Sequence, residues 1–118
     1  MDERLKKAIN FSNYMVTLNN QKRLLKEKYQ EDLLYYYNGC QFSITKELIT
    51  FLGFLVEKGN DSVVLTDDNQ VPTRIEHLED FFDQVLDKYF TASNDYLNDY
   101  EALKKKRSVE KLAELDVD

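Results

Sequence analysis

The stretch Ser62-Val63-Val64-Leu65-Thr66-Asp67-Asp68-Asn69-Gln70-Val71-Pro72-Thr73-Arg74-Ile75 decides the fold class. Two β-favouring runs flank the turn-forming Asp67-Asp68-Asn69, which predicts a β-hairpin inside a chain otherwise patterned for helices. Pro72 has no N–H to give to a ladder, so its strand is expected at an edge, or with the proline facing outward.

Just before the hairpin, Thr45 reads as a helix N-cap with Glu47 in the first turn, where the helix dipole favours an anion. The helix predicted over about 46–58 carries Leu48, Ile49, Phe51, Leu52, Phe54, Leu55 and Val56, and stops at Gly59-Asn60. It is apolar around most of its girth and is expected at the centre of the core. Asn38-Gly39 is a turn signal, and Cys40-Gln41-Phe42-Ser43-Ile44 alternates as a strand does. With the hairpin it predicts a small three-stranded antiparallel sheet.

Long helical patterns lie outside this hub. Residues 2 to about 37 contain neither Pro nor Gly. Leu5, Ala8, Phe11, Met15, Leu18, Leu25, Tyr29, Leu33 and Tyr36 mark the expected packing face, at the three-and-four spacing of a helix. The Tyr35-Tyr36-Tyr37 run also has strand propensity, which leaves the end of this helix open. A second long helix is predicted over about 76–106, with the seam Ile75, Leu78, Phe82, Val85, Tyr89, Ala92, Tyr96 and Leu103. Ser108 can cap a short C-terminal helix, Val109 to Leu115, before an acidic tail, so that 107–118 form a small appendage. The reading is one α+β domain over 1–118: two long antiparallel helices on a hub of one short apolar helix and a three-stranded antiparallel sheet.

A helix of about 35 residues is ~52 Å long, whereas a compact chain of this size has a radius of gyration of only ~13 Å. The expectation is an elongated molecule or broken helices. If residue 37 lies beside residue 75, facing positions add to about 112. Lys22, Lys26 and Lys28 then lie against Asp83 and Asp87, and Arg4, Lys6 and Lys7 reach the level of Lys104, Lys105, Lys106 and Arg107 as a basic tip.

Composition excludes whole classes of chemistry. The chain of 118 residues has a formal charge of −6, with eight Tyr and seven Phe as bulky core material. A single Cys (Cys40) and a single His (His77) exclude an intramolecular disulfide, a Cys-based zinc site and a multi-His metal site. Gly39, Gly53 and Gly59 cannot write a phosphate loop, a dinucleotide fingerprint or a nucleophile elbow. No apolar run is long enough to cross a bilayer, and the first residues lack the apolar core of a secretion signal. The expected setting is the cytoplasm, with no cofactor and no membrane.

Three candidate functions follow. Three consecutive tyrosines cannot all face one core, so Tyr35 and Tyr37, with Tyr96, Leu97, Tyr100 and Leu103 on the last helix, are candidate partner-binding residues of a non-enzymatic protein–protein interaction module. The partner is another protein or a second copy, a symmetric dimer being the commonest form. The alternative is nucleic-acid binding through Arg4, Lys6, Lys7, Lys104, Lys105, Lys106 and Arg107. Against it, no aromatic interleaves with those cations as single-strand binding sites prefer. A third reading takes Glu76-x-x-Glu79 with Asp80 as half of a magnesium site in a nucleotide hydrolase, but no second carboxylate pair on another helix completes it.

Several phrases resemble a protein group. Met1-Asp2-Glu3-Arg4-Leu5-Lys6-Lys7-Ala8, Phe11-Ser12-Asn13-Tyr14, Thr17-Leu18-Asn19-Asn20-Gln21, Phe42-Ser43-Ile44-Thr45 and Arg107-Ser108-Val109 are similar to a small protein of T-even-like myophages of marine bacteria. The preponderance of Lys over Arg, with few Ala and many Asn and Tyr, suits the AT-rich genomes such phages have. None of these phrases is a catalytic motif. No established activity carries over from that group; joined to the interaction-module reading, the resemblance gives the expectation of a phage accessory or assembly factor, in the host cytoplasm or the virion.

Overall fold

The computed structural model describes residues 2–115, with side chains described as far as Ser108. The elements are α1 (Glu3–Asp32), β1 (Leu34–Tyr37), β2 (Cys40–Ser43), α2 (Lys46–Glu57), β3 (Val63–Thr66), β4 (Pro72–Ile75) and α3 (Leu78–Leu115). The class is α+β with a long helix pair. The chain divides into two compact units, residues 29–94 and residues 1–28 with 95–118.

The unit of residues 29–94 differs from the sequence expectation in its sheet. There are two separate two-stranded antiparallel ribbons, β1–β2 and β3–β4, and no three-stranded sheet. The cause lies at the end of α1. Leu34-Tyr35-Tyr36-Tyr37, read as the last turn of the helix, is β1, and it claims β2 as its partner with Tyr37 opposite Cys40 and Leu34 opposite Ser43. Asn38 (φ 49°) and Gly39 (φ 78°) both take left-handed backbone, the requirement of a tight hairpin turn whose twist matches its strands. With aromatic β-formers before that turn, strand pairing outcompetes one more turn of helix.

The second ribbon pairs Val63 with Ile75 and Thr66 with Pro72. In a two-stranded ribbon every strand is an edge strand, which is where a proline is tolerated. Its loop is built on Asp67, which is buried. The Asp67 carboxylate accepts hydrogen bonds from the backbone N–H groups of Asn69 (2.9 Å) and Val71 (2.8 Å), so a buried charge is satisfied by main-chain donors.

Asp68, next in the chain, joins the two ribbons. Its N–H donates to the Gln41 carbonyl at 2.8 Å. Its carboxylate accepts from Gln41 Nε2 (2.9 Å), Ser43 N (3.1 Å) and Ser43 Oγ (2.7 Å). The contact that sequence patterning placed in a third ladder is thus made by a loop.

The core of this unit is Phe42, Ile44, Leu52, Ile75, Leu78, Phe81 and Val85. Helix α2 does not sit at its centre. Leu52 is fully buried, but Phe51 and Phe54 stand on the outer face at 46% and 54% exposure. Thr45 caps α2 as expected, its Oγ1 accepting from Leu48 N at 3.0 Å. The far end closes as a Schellman motif: Gly59 N donates to Val56 O, Asn60 N donates to Leu55 O, and Gly59 takes φ 84°.

In the other unit, α3 runs through Ser108 without a break to Leu115, so no separate C-terminal helix begins there. Nothing around Ser108 stops a helix, and Lys, Arg, Ala, Leu and Glu on either side all favour one. The acidic tail falls at residues 116–118, outside the described residues.

Two outcomes test this account. Gly59→Ala places a Cβ in open space but in left-handed backbone, and is expected to cost about 1 kcal/mol in denaturant unfolding. For Asp68, burial pushes the carboxyl up, but the hydrogen bonds from Gln41 and Ser43 together outweigh it and hold it below its ordinary 3.8. A folded-state value below the unfolded one contributes stability present above the unfolded value and lost as pH falls through the folded one. Stability should therefore fall as pH drops below about 4, and that part of the slope should be absent in Asp68→Asn, measured by unfolding as a function of pH.

Candidate functional site

The tyrosine run divides by strand alternation. Tyr35 and Tyr37 point to the core side, where both rings meet Phe81 edge to face at 5.4 and 5.3 Å. The Tyr35 hydroxyl donates to Gln84 Oε1. Burial, and secondarily the neighbouring Tyr37, push the Tyr35 hydroxyl up from its ordinary value. Tyr36 points the other way and is 63% exposed. The strand period of two, applied to 34–37 in place of the helical one, identifies it as the exposed ring.

The remaining proposed contact residues lie in the unit that pairs residues 1–28 with 95–115. Tyr96 and Tyr100 pack edge to face at 6.3 Å, Lys22 Nζ lies 5.7 Å from the Tyr100 ring, and Leu103 is half-buried. Only Leu97 of this group is largely exposed, at 55%.

Within this unit the two helices run antiparallel in a register other than the predicted one. Arg107 meets Tyr14, Lys22 meets Tyr100, and Lys28 Nζ lies 2.8 Å from Asp99 Oδ2. The earlier rule set Arg107 near residue 5, and Lys22 and Lys28 against Asp83 and Asp87. That rule assumed helix up to residue 37. With α1 ending at Asp32 and residues 34–37 extended, residue 37 no longer marks the point where the helices face each other.

The consequence for the basic tip is direct. Arg107 is 6% exposed, its guanidinium 4.6 Å from the centre of the Tyr14 ring and its Nη2 3.4 Å from the Tyr14 carbonyl. Lys104, Lys105 and Lys106 are exposed, as are Arg4, Lys6 and Lys7. By the observed register, however, the lysine run falls beside the residues just after Tyr14 and not beside Arg4, Lys6 and Lys7. The seven cations do not come together.

Helix α1 also turns a different face inward. Tyr14, absent from the predicted stripe, is its buried residue, whereas Leu5, Phe11 and Met15 are exposed at 54%, 47% and 36%. Apolar residues occur on several sides of this helix, so periodicity alone had no single face to choose. The signal was Tyr14 itself: a ring in helical register with Leu18 and Leu25 gives Arg107 a surface to stack on.

The carboxylates of the magnesium reading lie beside a shallow cleft at the start of α3. Glu76 and His77 stand in the bend before the helix, and Glu79 and Asp80 in its first turn. Among the described residues no group of three or more His, Cys, Asp or Glu is placed to hold a metal ion. Also among them, no helix is long and apolar enough to cross a membrane.

The division of the tyrosines is tested by truncation. Tyr37→Ala should cost about 2 kcal/mol or more, and Tyr36→Ala no more than about 0.5 kcal/mol, both read by chemical denaturation. No family model, curated protein or solved structure matches this chain.

Proposed function

We propose that the chain is a non-enzymatic protein–protein interaction module, an accessory or assembly factor of a phage acting in the host cytoplasm, and that it docks through the N-terminal half of α1. The observation that carries this reading is apolar exposure on the side of α1 that packing leaves open. Leu5, Ile9 and Val16, spaced by four and seven, stand on the side opposite buried Tyr14 and are 54%, 40% and 58% exposed. Phe11 and Met15 add apolar surface on one flank.

On an amphipathic helix the side away from the packing face is polar. Here the same line of residues becomes polar only further on, at Asn20, Arg23 and Glu27, where Arg23 and Glu27 approach to 3.5 Å. Contiguous apolar side chains on a helix face are recognised by a groove or by a like helix, with anchors at three-and-four spacing. A second copy of the chain is the simplest occupant, because an isologous pair needs only one such face.

Light scattering on the eluting peak of a size-exclusion column tests this. The expected result is a dimer that persists in high salt and is lost in Ile9→Glu/Val16→Glu, with helicity by circular dichroism unchanged. A monomer at every concentration, with no cross-link to any protein from residues 5–16 in cell extract, overturns the reading.

A further inference from the structure

We propose that the outer face of α2 is covered by α2 of a second copy of the chain, running antiparallel to it. Glu47, Phe51, Phe54 and Lys58 follow one another at spacings of four, three and four, the spacing of the seam along which two helices pack. Phe51 and Phe54 are 46% and 54% exposed, and Glu47 and Lys58 are exposed at the two ends of the stripe. Lys58 caps the helix with its backbone still helical (φ −74°, ψ −5°), and its Nζ lies 5.5 Å from the centre of the Phe54 ring. The buried residue of this helix, Leu52, lies on the other side.

The order of the four residues selects the occupant. Turned end for end about the midpoint of Leu52 and Gly53, the stripe is its own complement. Glu47 falls opposite Lys58 of the partner subunit, and Phe51 opposite Phe54 of the partner subunit. Two-fold symmetry supplies each contact twice, giving an ion pair at either end and two ring pairs between them. Parallel pairing would instead set Glu47 against Glu47 and Lys58 against Lys58, and like charges face to face oppose association. Polar residues at seam positions fix orientation in this way, at a cost in strength. The antiparallel pair also brings each helix N-terminus beside a C-terminus, where the dipoles attract.

The size of the face sets the strength of the pair. A stripe of three turns falls well short of the ~1,200 Å² that stable interfaces bury. The pair is therefore weak, with a dissociation constant on the order of 0.1–1 mM. That lies above the concentration of an eluting column peak, so this face leaves the chromatographic result expected for α1 unchanged. It is a second self-complementary face and stands independently of the reading of α1. Where α1 pairs as proposed above, a chain with both faces links more than two copies.

The test is sedimentation equilibrium of the full chain carrying Ile9→Glu/Val16→Glu, which removes the α1 pair, at up to about 2 mM protein in low salt. A monomer–dimer equilibrium that weakens in high salt is expected. Glu47→Lys and Lys58→Glu, added singly, should each weaken it about tenfold or more, because each sets like charges opposite one another. Mixed in equal amounts, these two variants should associate at least as well as the parent, since every end then meets its opposite. Phe51→Ser/Phe54→Ser should abolish association. Glu57→Lys, about 90° round the helix from the stripe, should leave it unchanged. The proposal is overturned if the parent stays monomeric throughout, or if the mixture associates no better than either variant alone. It is equally overturned if Glu57→Lys costs as much as Glu47→Lys. With the α1 face removed from the start, such a failure leaves the reading of α1 untouched.

Discussion

Phe81 is the residue on which the architecture of residues 29–94 depends. It lies in the first turn of α3, is 2% exposed, and receives three rings edge to face: Tyr35, Tyr37 and, at 5.6 Å, Phe42. All three come from the β1–β2 ribbon. Such contacts add about 0.5–1.5 kcal/mol per pair beyond area burial and constrain angle as well as distance. A slip of one residue in β1 would exchange Tyr35 and Tyr37 for Tyr36 and lose two of the three. The register of the ribbon and the start of α3 are therefore fixed by one cluster. Loop 67–71, through Asp68, then ties the second ribbon to the first without a shared ladder.

What was legible in the sequence was local and marked by punctuation. Thr45 and Gly59 bound α2, Asn38-Gly39 makes its turn, and the seam of α3 holds from Leu78 to Leu103, because each of these signals acts within a few residues. Where two periods competed, the residues did not decide. Leu34 to Tyr37 satisfy a helical stripe and a strand equally, and only the position of Phe81 and the left-handed pair at 38–39 selects the strand. That single choice carried two errors with it: the third strand of a sheet that does not exist, and the offset in register between α1 and α3.

The candidate surfaces were less legible for a different reason. Tyr35, Tyr37, Tyr96 and Tyr100 are all large amphipathic rings, and a sequence does not distinguish a ring that packs from one that waits for a partner. The cations were misjudged in the same way. Arg107 looks like one more charge in Lys104-Lys105-Lys106-Arg107, but its flat guanidinium can lie on Tyr14 where an ammonium is more strongly hydrated. Of the exposed apolar residues on α1, Leu5, Phe11 and Met15 belong to a stripe expected to face inward, whereas Ile9 and Val16 fall outside it.

The two units are built differently along the chain: one is a continuous segment, the other is assembled from both ends. Bringing Arg107 to Tyr14 closes a loop of over 90 residues, at an entropic cost on the order of 4 kcal/mol if the intervening chain is unstructured. Once residues 29–94 are folded, Tyr29 and Ser93 lie within hydrogen-bonding reach, at 3.3 Å, and α1 and α3 continue from those two points. Most of the closure has then already been met by short-range contacts in the two ribbons. The connectivity thus leaves the two ends of the chain the smaller share of the closure entropy once the middle is in place.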